Sequence, residues 1–142
     1  MAGIRGLYAV TPDLADTAQL VALCEQALRG GASLLQYRNK LAGRKLKREQ
    51  AEALAPLCKR HGCLFIVNDD AALAMEVDAA GAHLGSEDGD LATARRLLGP
   101  NRLLGASCYN QYELAEAAKA AGVDYVAFGA AYASPKIGRT HV

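Results

Sequence analysis

Leu64-Phe65-Ile66-Val67-Asn68-Asp69-Asp70 runs four apolar residues straight into an amide and two carboxylates. Four consecutive β-favouring or bulky apolar residues suit a strand covered on both faces, as in a parallel sheet, where alternation of apolar and polar positions disappears. The polar triplet then falls just past the C-terminal end of that strand. In α/β folds helices cover the sheet faces, so the loops at that end are the ones free to meet a ligand.

The same unit recurs on either side. Toward the N-terminus, Leu7–Val10 reads as a short strand closed by Thr11-Pro12-Asp13, because proline removes a ladder donor. Residues 16–29 read as a helix whose apolar face carries Leu20, Leu23, Cys24, Ala27 and Leu28, ended by Gly30-Gly31. Ser33–Arg38 follows as a strand. After the basic loop Gly43-Arg44-Lys45, residues 46–60 form a helix that Pro56 should bend or restart.

Beyond the central strand come an Ala-rich helix from Ala71 to Ala80, a short strand at Ala82-His83-Leu84, and a helix from Asp90 to Leu98. A strand from Leu103 to Ser107, a helix opened by a capping-box-like Asn110 and Glu113, and a strand from Asp124 to Phe128 complete the pattern. Strands beginning near residues 7, 33, 63, 82, 103 and 124 are spaced like single βα units. No GxGxxG follows the first strand, which favours a (β/α) barrel over an open dinucleotide-binding sheet. A closed TIM barrel, (β/α)8, needs eight units, and about six of the eight are visible here, within one domain spanning residues 1–142.

Composition narrows the function. With 51% apolar residues the chain can fill a core, and 16 Lys plus Arg against 15 Asp plus Glu leave a formal charge of +1. No broad field favours nucleic acid or an anionic membrane, and without tryptophan there is little material for base stacking. Met1–Tyr8 has neither a signal peptide's apolar run nor a transmembrane segment, so a cytoplasmic protein is expected. Cys24, Cys58, Cys63 and Cys108 lie far apart without a CxxC pair and read as buried thiols, Cys108 being the one expected to face a site.

Two groups of residues carry chemistry. Gln36, Arg38 and Lys40 alternate at the end of the second strand, which in an extended chain places them on one face, roughly 7 Å between successive ones. They form either a clamp for a pyrophosphate or a solvated rim. Asp69 and Asp88, following adjacent strands, would meet at the barrel mouth and suit magnesium; the bland alternative is helix capping by Asp69 or Asp70. His83 and Ser107 end the fourth and fifth strands, where either could contact a phosphate. His61 ends a helix at the opposite side.

Several stretches, in order, resemble the motifs of the thiamin phosphate synthase family: Leu7–Thr11, Gln36–Lys40, Phe65–Asp69, Gly81–Asp88, Gly105–Ser107 and Asp124–Gly129. The resemblance implies a (β/α)8 barrel that joins hydroxymethylpyrimidine pyrophosphate to thiazole phosphate and releases pyrophosphate. It implies that Gln36, Arg38, Lys40 and Asn68 hold the pyrimidine pyrophosphate, that Asp69 and Asp88 bind Mg2+, and that Ser107 and His83 contact the departing pyrophosphate. Arg38, Lys40 and Ser107 are the expected catalytic residues, and the substitution is dissociative, with no protein nucleophile.

Three departures stand out. Ser86 replaces a frequent glutamine, and Ala130–Lys136 is one residue short, so that Ser134 fits the family's pattern better than Lys136, although both remain substrate-binding candidates. The chain also reaches Val142 before a seventh and eighth strand, which leaves an apolar edge for another segment, or another chain in a homo-oligomer, to cover. The alternatives to the synthase are a thiazole tautomerase-like isomerase and a non-catalytic pyrimidine-pyrophosphate-binding module.

Overall fold

The structure, a computed structural model, describes residues 6–85 and 91–129. Six parallel strands stand in sequence order: β1 (Leu7–Val10), β2 (Ala32–Tyr37), β3 (Leu64–Asn68), β4 (Gly81–Gly85), β5 (Leu103–Ser107) and β6 (Tyr125–Ala127). Between them run α1 (Thr17–Arg29), α2 (Arg44–Arg60), α3 (Ala71–Glu76), α4 (Leu91–Leu98) and α5 (Tyr112–Ala120).

Local chemistry sets most of these limits. Asp16 caps α1 by accepting from the Gln19 amide, and Asp70 caps α3 by accepting from the Leu73 amide, which settles Asp70 as a cap. Gly62, at φ +67°, ends α2 and lets the Cys63 amide reach back to the Cys58 carbonyl at 2.9 Å. The α2 helix starts at Arg44, so the basic loop is shorter than its composition suggests, and it continues through Pro56. The α3 helix stops at Glu76 rather than Ala80, where Asp78 turns left-handed at φ 55°. Gln111, not Asn110, is the N-cap of α5, and no side-chain cap bond forms there, so the expected capping box is absent.

The core lies on both faces of the sheet, as the apolar run of β3 requires. Phe65 and Val67 join the helix-facing cluster with Leu20, Leu54, Leu57 and Leu98. Ile66 turns to the concave face, with Tyr8, Leu34, Leu103 and Tyr125. Cys108 is fully buried in the helix-facing cluster. It therefore does not face a site, correcting the expectation from its position at a strand end.

The sheet is strongly curled. Tyr8 on β1 and Tyr125 on β6 share a hydroxyl–hydroxyl hydrogen bond of 2.5 Å, with ring centroids 5.8 Å apart. In a flat sheet those edge strands would be about 24 Å apart, five strand spacings. The described residues thus form a six-stranded half-barrel whose inward side chains meet across the lumen; closure by eight strands is not seen among them.

The two ends of the half-barrel differ. At the N-terminal end, the Arg95 guanidinium donates to the carbonyls of Gly99, Arg102 and Gly122 and to the Asp124 carboxylate at 2.6 Å, stapling the turns that precede β5 and β6. A partly exposed network of this kind serves stability. The C-terminal end keeps polar groups facing inward.

Candidate active site

Strand parity selects what enters the lumen. On β2, Leu34 and Gln36 face inward; on β3, Ile66; on β5, Leu103 and Ser107 share the parity of Gly105. The register pairs Asn68 with His83, His83 with Gly105, and Gly105 with Tyr125. Adjacent strands therefore carry Asn68, His83, Gly105 and Tyr125 side by side. Gly105 is needed at this point: a Cβ there would overlap the Tyr125 ring, whose passage over the glycine brings it to 5.5 Å from the His83 ring.

A hydrogen-bonded row results. Gln36 Nε2 donates to the Tyr8 hydroxyl at 3.0 Å, Tyr8 meets Tyr125, the Tyr125 hydroxyl meets His83 Nδ1 at 3.1 Å, and His83 Nε2 meets Ser107 Oγ at 2.6 Å. Burial pushes His83 down to about 4, so the ring is neutral near pH 7. Burial raises both phenols, which keep their protons. Both nitrogens of His83 are engaged within the protein, so the ring reaches a ligand through Ser107. Gln36 is itself buried, and its side-chain Oε1 has no protein partner among the described residues.

Arg38 and Lys40 follow β2 directly and are held by their backbone. The Arg38 amide donates to Thr11 Oγ1 at 2.9 Å and the Thr11 hydroxyl returns to the Arg38 carbonyl at 3.0 Å. The Lys40 amide donates to Asp13 Oδ1 at 3.0 Å. Between them Asn39 is buried, its amide bonding Leu14 O and Gln50 Oε1. Among the described residues neither the Arg38 guanidinium nor the Lys40 ammonium has an ion pair. Two uncompensated cations on a fixed loop favour an anion.

Asp69 ends β3 in the left-handed region, φ 63°, its amide donating to the His83 carbonyl at 2.8 Å. A non-glycine residue held there stores roughly 1–3 kcal/mol, a feature that clusters at ligand sites. Its carboxylate is exposed, with no hydrogen-bond partner among the described residues. A hard, free carboxylate following the strand next to the one that leads into the cationic loop suits a magnesium ion that keeps most of its waters. Among the described residues no three His, Cys, Asp or Glu side chains form a metal cluster. Asp88, Ser134 and Lys136 lie outside the described residues.

Sequence reasoning missed Tyr8, Thr11, Gln50 and Tyr125. Tyr8, Thr11 and Tyr125 did carry a signal, since they lie in the Leu7–Thr11 and Asp124–Gly129 stretches. Beside the mouth, Arg44, Lys45, Lys47 and Arg48 line a cleft with Asp70 and Glu76; Arg48 is paired with Glu76 at 2.8 Å. No helix among the described residues is long and apolar enough to cross a membrane.

The family model described as thiamine monophosphate synthase matches residues 7–138. The chain belongs to that family. It is 58% identical over 133 residues to a thiamine-phosphate synthase of Chromobacterium violaceum, covering 92% of this chain and 63% of that protein. A thiamine-phosphate synthase of Aromatoleum aromaticum is 56% identical over 131 residues, again with 92% and 63% covered. Among solved structures, thiamine phosphate pyrophosphorylase from Pyrococcus furiosus superposes with a TM-score of 0.76 and 34% identity, over 89% of this chain and 60% of that one. The chain thus spans under two thirds of the length of these family members.

Proposed function

We propose that this chain carries the pyrimidine-pyrophosphate side of a thiamin phosphate synthase site, acting as a transferase that moves hydroxymethylpyrimidine from its pyrophosphate to thiazole phosphate. The reading extends the family membership to activity and takes the half-barrel as part of a (β/α)8 barrel. The observation that carries it is the convergence of Gln36, Asn68 and the His83–Ser107 pair at the C-terminal end of adjacent strands, beside the unpaired cations of Arg38 and Lys40. Small phosphorylated substrates fit that arrangement, and a cytoplasmic location follows from such chemistry.

The residues take separate roles. Gln36 and Asn68 offer amide groups to the pyrimidine. Arg38 and Lys40 hold the pyrophosphate and stabilise the negative charge that grows on it as the carbon–oxygen bond lengthens. The hydroxyl of Ser107 donates to a phosphate oxygen. Asp69, with Asp88, would hold Mg2+, which supplies further charge neutralisation on the leaving group. The buried lumen beneath, closed by Tyr8, Ile66, Leu103 and Tyr125, keeps water from the reacting carbon.

The assay is pyrophosphate release from hydroxymethylpyrimidine pyrophosphate, with and without magnesium and thiazole phosphate. Release that requires both supports the synthase. Tight binding without release assigns the chain as a binding module, and isomerisation of a thiazole carboxylate phosphate without release assigns it as tautomerase-like. The free cations of Arg38 and Lys40 favour the first, because an isomerase has no use for a pyrophosphate clamp.

A further inference from the structure

The row Gln36–Tyr8–Tyr125–His83–Ser107 takes its direction from the Gln36 amide, whose Nε2 faces the Tyr8 hydroxyl. An amide nitrogen only donates, so the Tyr8 oxygen accepts from Gln36 at 3.0 Å. If the Tyr8 proton then goes to Tyr125, the Tyr125 proton goes to His83 Nδ1, and His83 carries its hydrogen on Nε2 and donates to Ser107. Both phenols and the imidazole then have acceptors for their hydrogens, and the hydroxyl proton left over belongs to Ser107, which is only partly buried. In the reverse arrangement Ser107 donates to Nε2, Nδ1–H donates to Tyr125, and Tyr125 donates to Tyr8. With Gln36 Nε2 against it, the Tyr8 proton then has no acceptor among the described residues; only a turned Gln36 amide would supply one. An unpaired buried donor disfavours that state by roughly 10- to 100-fold in population.

Resting on the functional reading above, we infer that Tyr125, fixed in turn by Tyr8 and Gln36, is a positioning residue that locks His83 as the Nε2–H tautomer and so turns the Ser107 hydroxyl outward as a donor to a pyrophosphate oxygen. The polarity of the row makes Ser107 an obligate donor before any ligand arrives. Such preorganisation is what an anionic leaving group needs, since no hydroxyl has to rotate as charge develops. Gly105 belongs to the same device, because only a residue without a side chain lets the Tyr125 ring pass over β5 to His83. The neutral state of the desolvated imidazole fits the scheme, as one nitrogen accepts while the other donates.

Two measurements on the full chain test it. Nitrogen–proton correlation spectra of protein labelled at histidine nitrogens, with the His83 signals assigned through His83→Gln, report which nitrogen carries the hydrogen. The expected result is Nε2–H in the wild type and loss of that preference in Tyr125→Phe. Calorimetric titration with magnesium pyrophosphate then compares wild type, Tyr125→Phe, Ser107→Ala and the double variant. Tyr125→Phe should weaken binding roughly 3- to 10-fold, one hydrogen bond's worth, in the wild-type background and less than about 2-fold once Ser107 is gone. Should Tyr125→Phe fail to fold, Tyr8→Phe makes the same comparison one link further back. An Nδ1–H tautomer, or equal losses in both backgrounds, overturns the relay. Absence of pyrophosphate binding by the wild type overturns the functional reading itself, and the spectra tell that failure from a failure of the relay.

Discussion

Gln50 sits on α2 with no exposed surface, yet it governs the loop that carries the cations. Its Oε1 accepts from the Tyr37 hydroxyl at 2.6 Å and from Asn39 Nδ2 at 3.0 Å, while its Nε2 donates to the Leu14 carbonyl at 2.9 Å. Replacing it by leucine keeps the volume and the helix propensity but deletes all three bonds. Asn39 Nδ2 retains its bond to Leu14 O, so that carbonyl is still served, and the hydroxyl of Tyr37 is left as a buried donor without its acceptor. Orphaning it costs about 1–3 kcal/mol, and each of the two shared bonds adds about 0.5 kcal/mol, giving about 2–4 kcal/mol for Gln50→Leu. Urea unfolding followed by circular dichroism measures this as a fall in midpoint at unchanged slope. Adding Tyr37→Phe removes the orphan, so the double variant should be no less stable than Gln50→Leu alone. A loss below about 0.5 kcal/mol for Gln50→Leu, or simple additivity of the two substitutions, would refute the network as the support of this loop.

Other outcomes follow from the same geometry. Arg38→Ala should weaken magnesium pyrophosphate binding at least 10-fold with a change in stability under about 1 kcal/mol, checked by calorimetry and urea unfolding, because the guanidinium has no ion pair to lose among the described residues. Arg95→Ala should do the opposite, lowering stability by about 2 kcal/mol through four lost bonds at the far end of the sheet while leaving pyrophosphate affinity unchanged. His83 sits at about 4 folded against an ordinary value of 6.5, so the unfolded chain binds the proton more readily. Its contribution is therefore complete above pH 6.5 and is lost as the pH falls to about 4, a decline of about 3 kcal/mol that denaturant midpoints across this range should show and that His83→Gln should flatten.

The strands were legible because parallel strands buried on both faces appear as continuous apolar runs between glycine-ended helices. Leu103–Ser107 is seen with the same limits in the sequence and in the structure. The capping of α3 by one of Asp69 and Asp70 was also legible, and the structure assigns it to Asp70. Two kinds of feature were not. Cys108 follows Ser107, so if one faces the lumen the other faces the helices, and that parity depends on a register the sequence does not print. The Tyr8–Tyr125 bond joins residues 117 positions apart and exists only because the sheet curls. The Gln50 network is equally non-local, and a polar residue on an otherwise apolar helix stripe is a weak sign of it. The resemblance marked the residues proposed to meet ligands; which side chains hold them in place became visible only with the fold.

In the function proposed, the mouth of this half-barrel is a magnesium-dependent pyrophosphate clamp built by Arg38, Lys40 and Asp69. Calorimetric titration of the chain with inorganic pyrophosphate, with and without magnesium, and in parallel on Asp69→Asn, addresses it directly. Asparagine tolerates the left-handed backbone of position 69 and removes only the charge. The account expects saturable binding that needs magnesium and falls at least 10-fold in Asp69→Asn. Binding that ignores both magnesium and that substitution would contradict it.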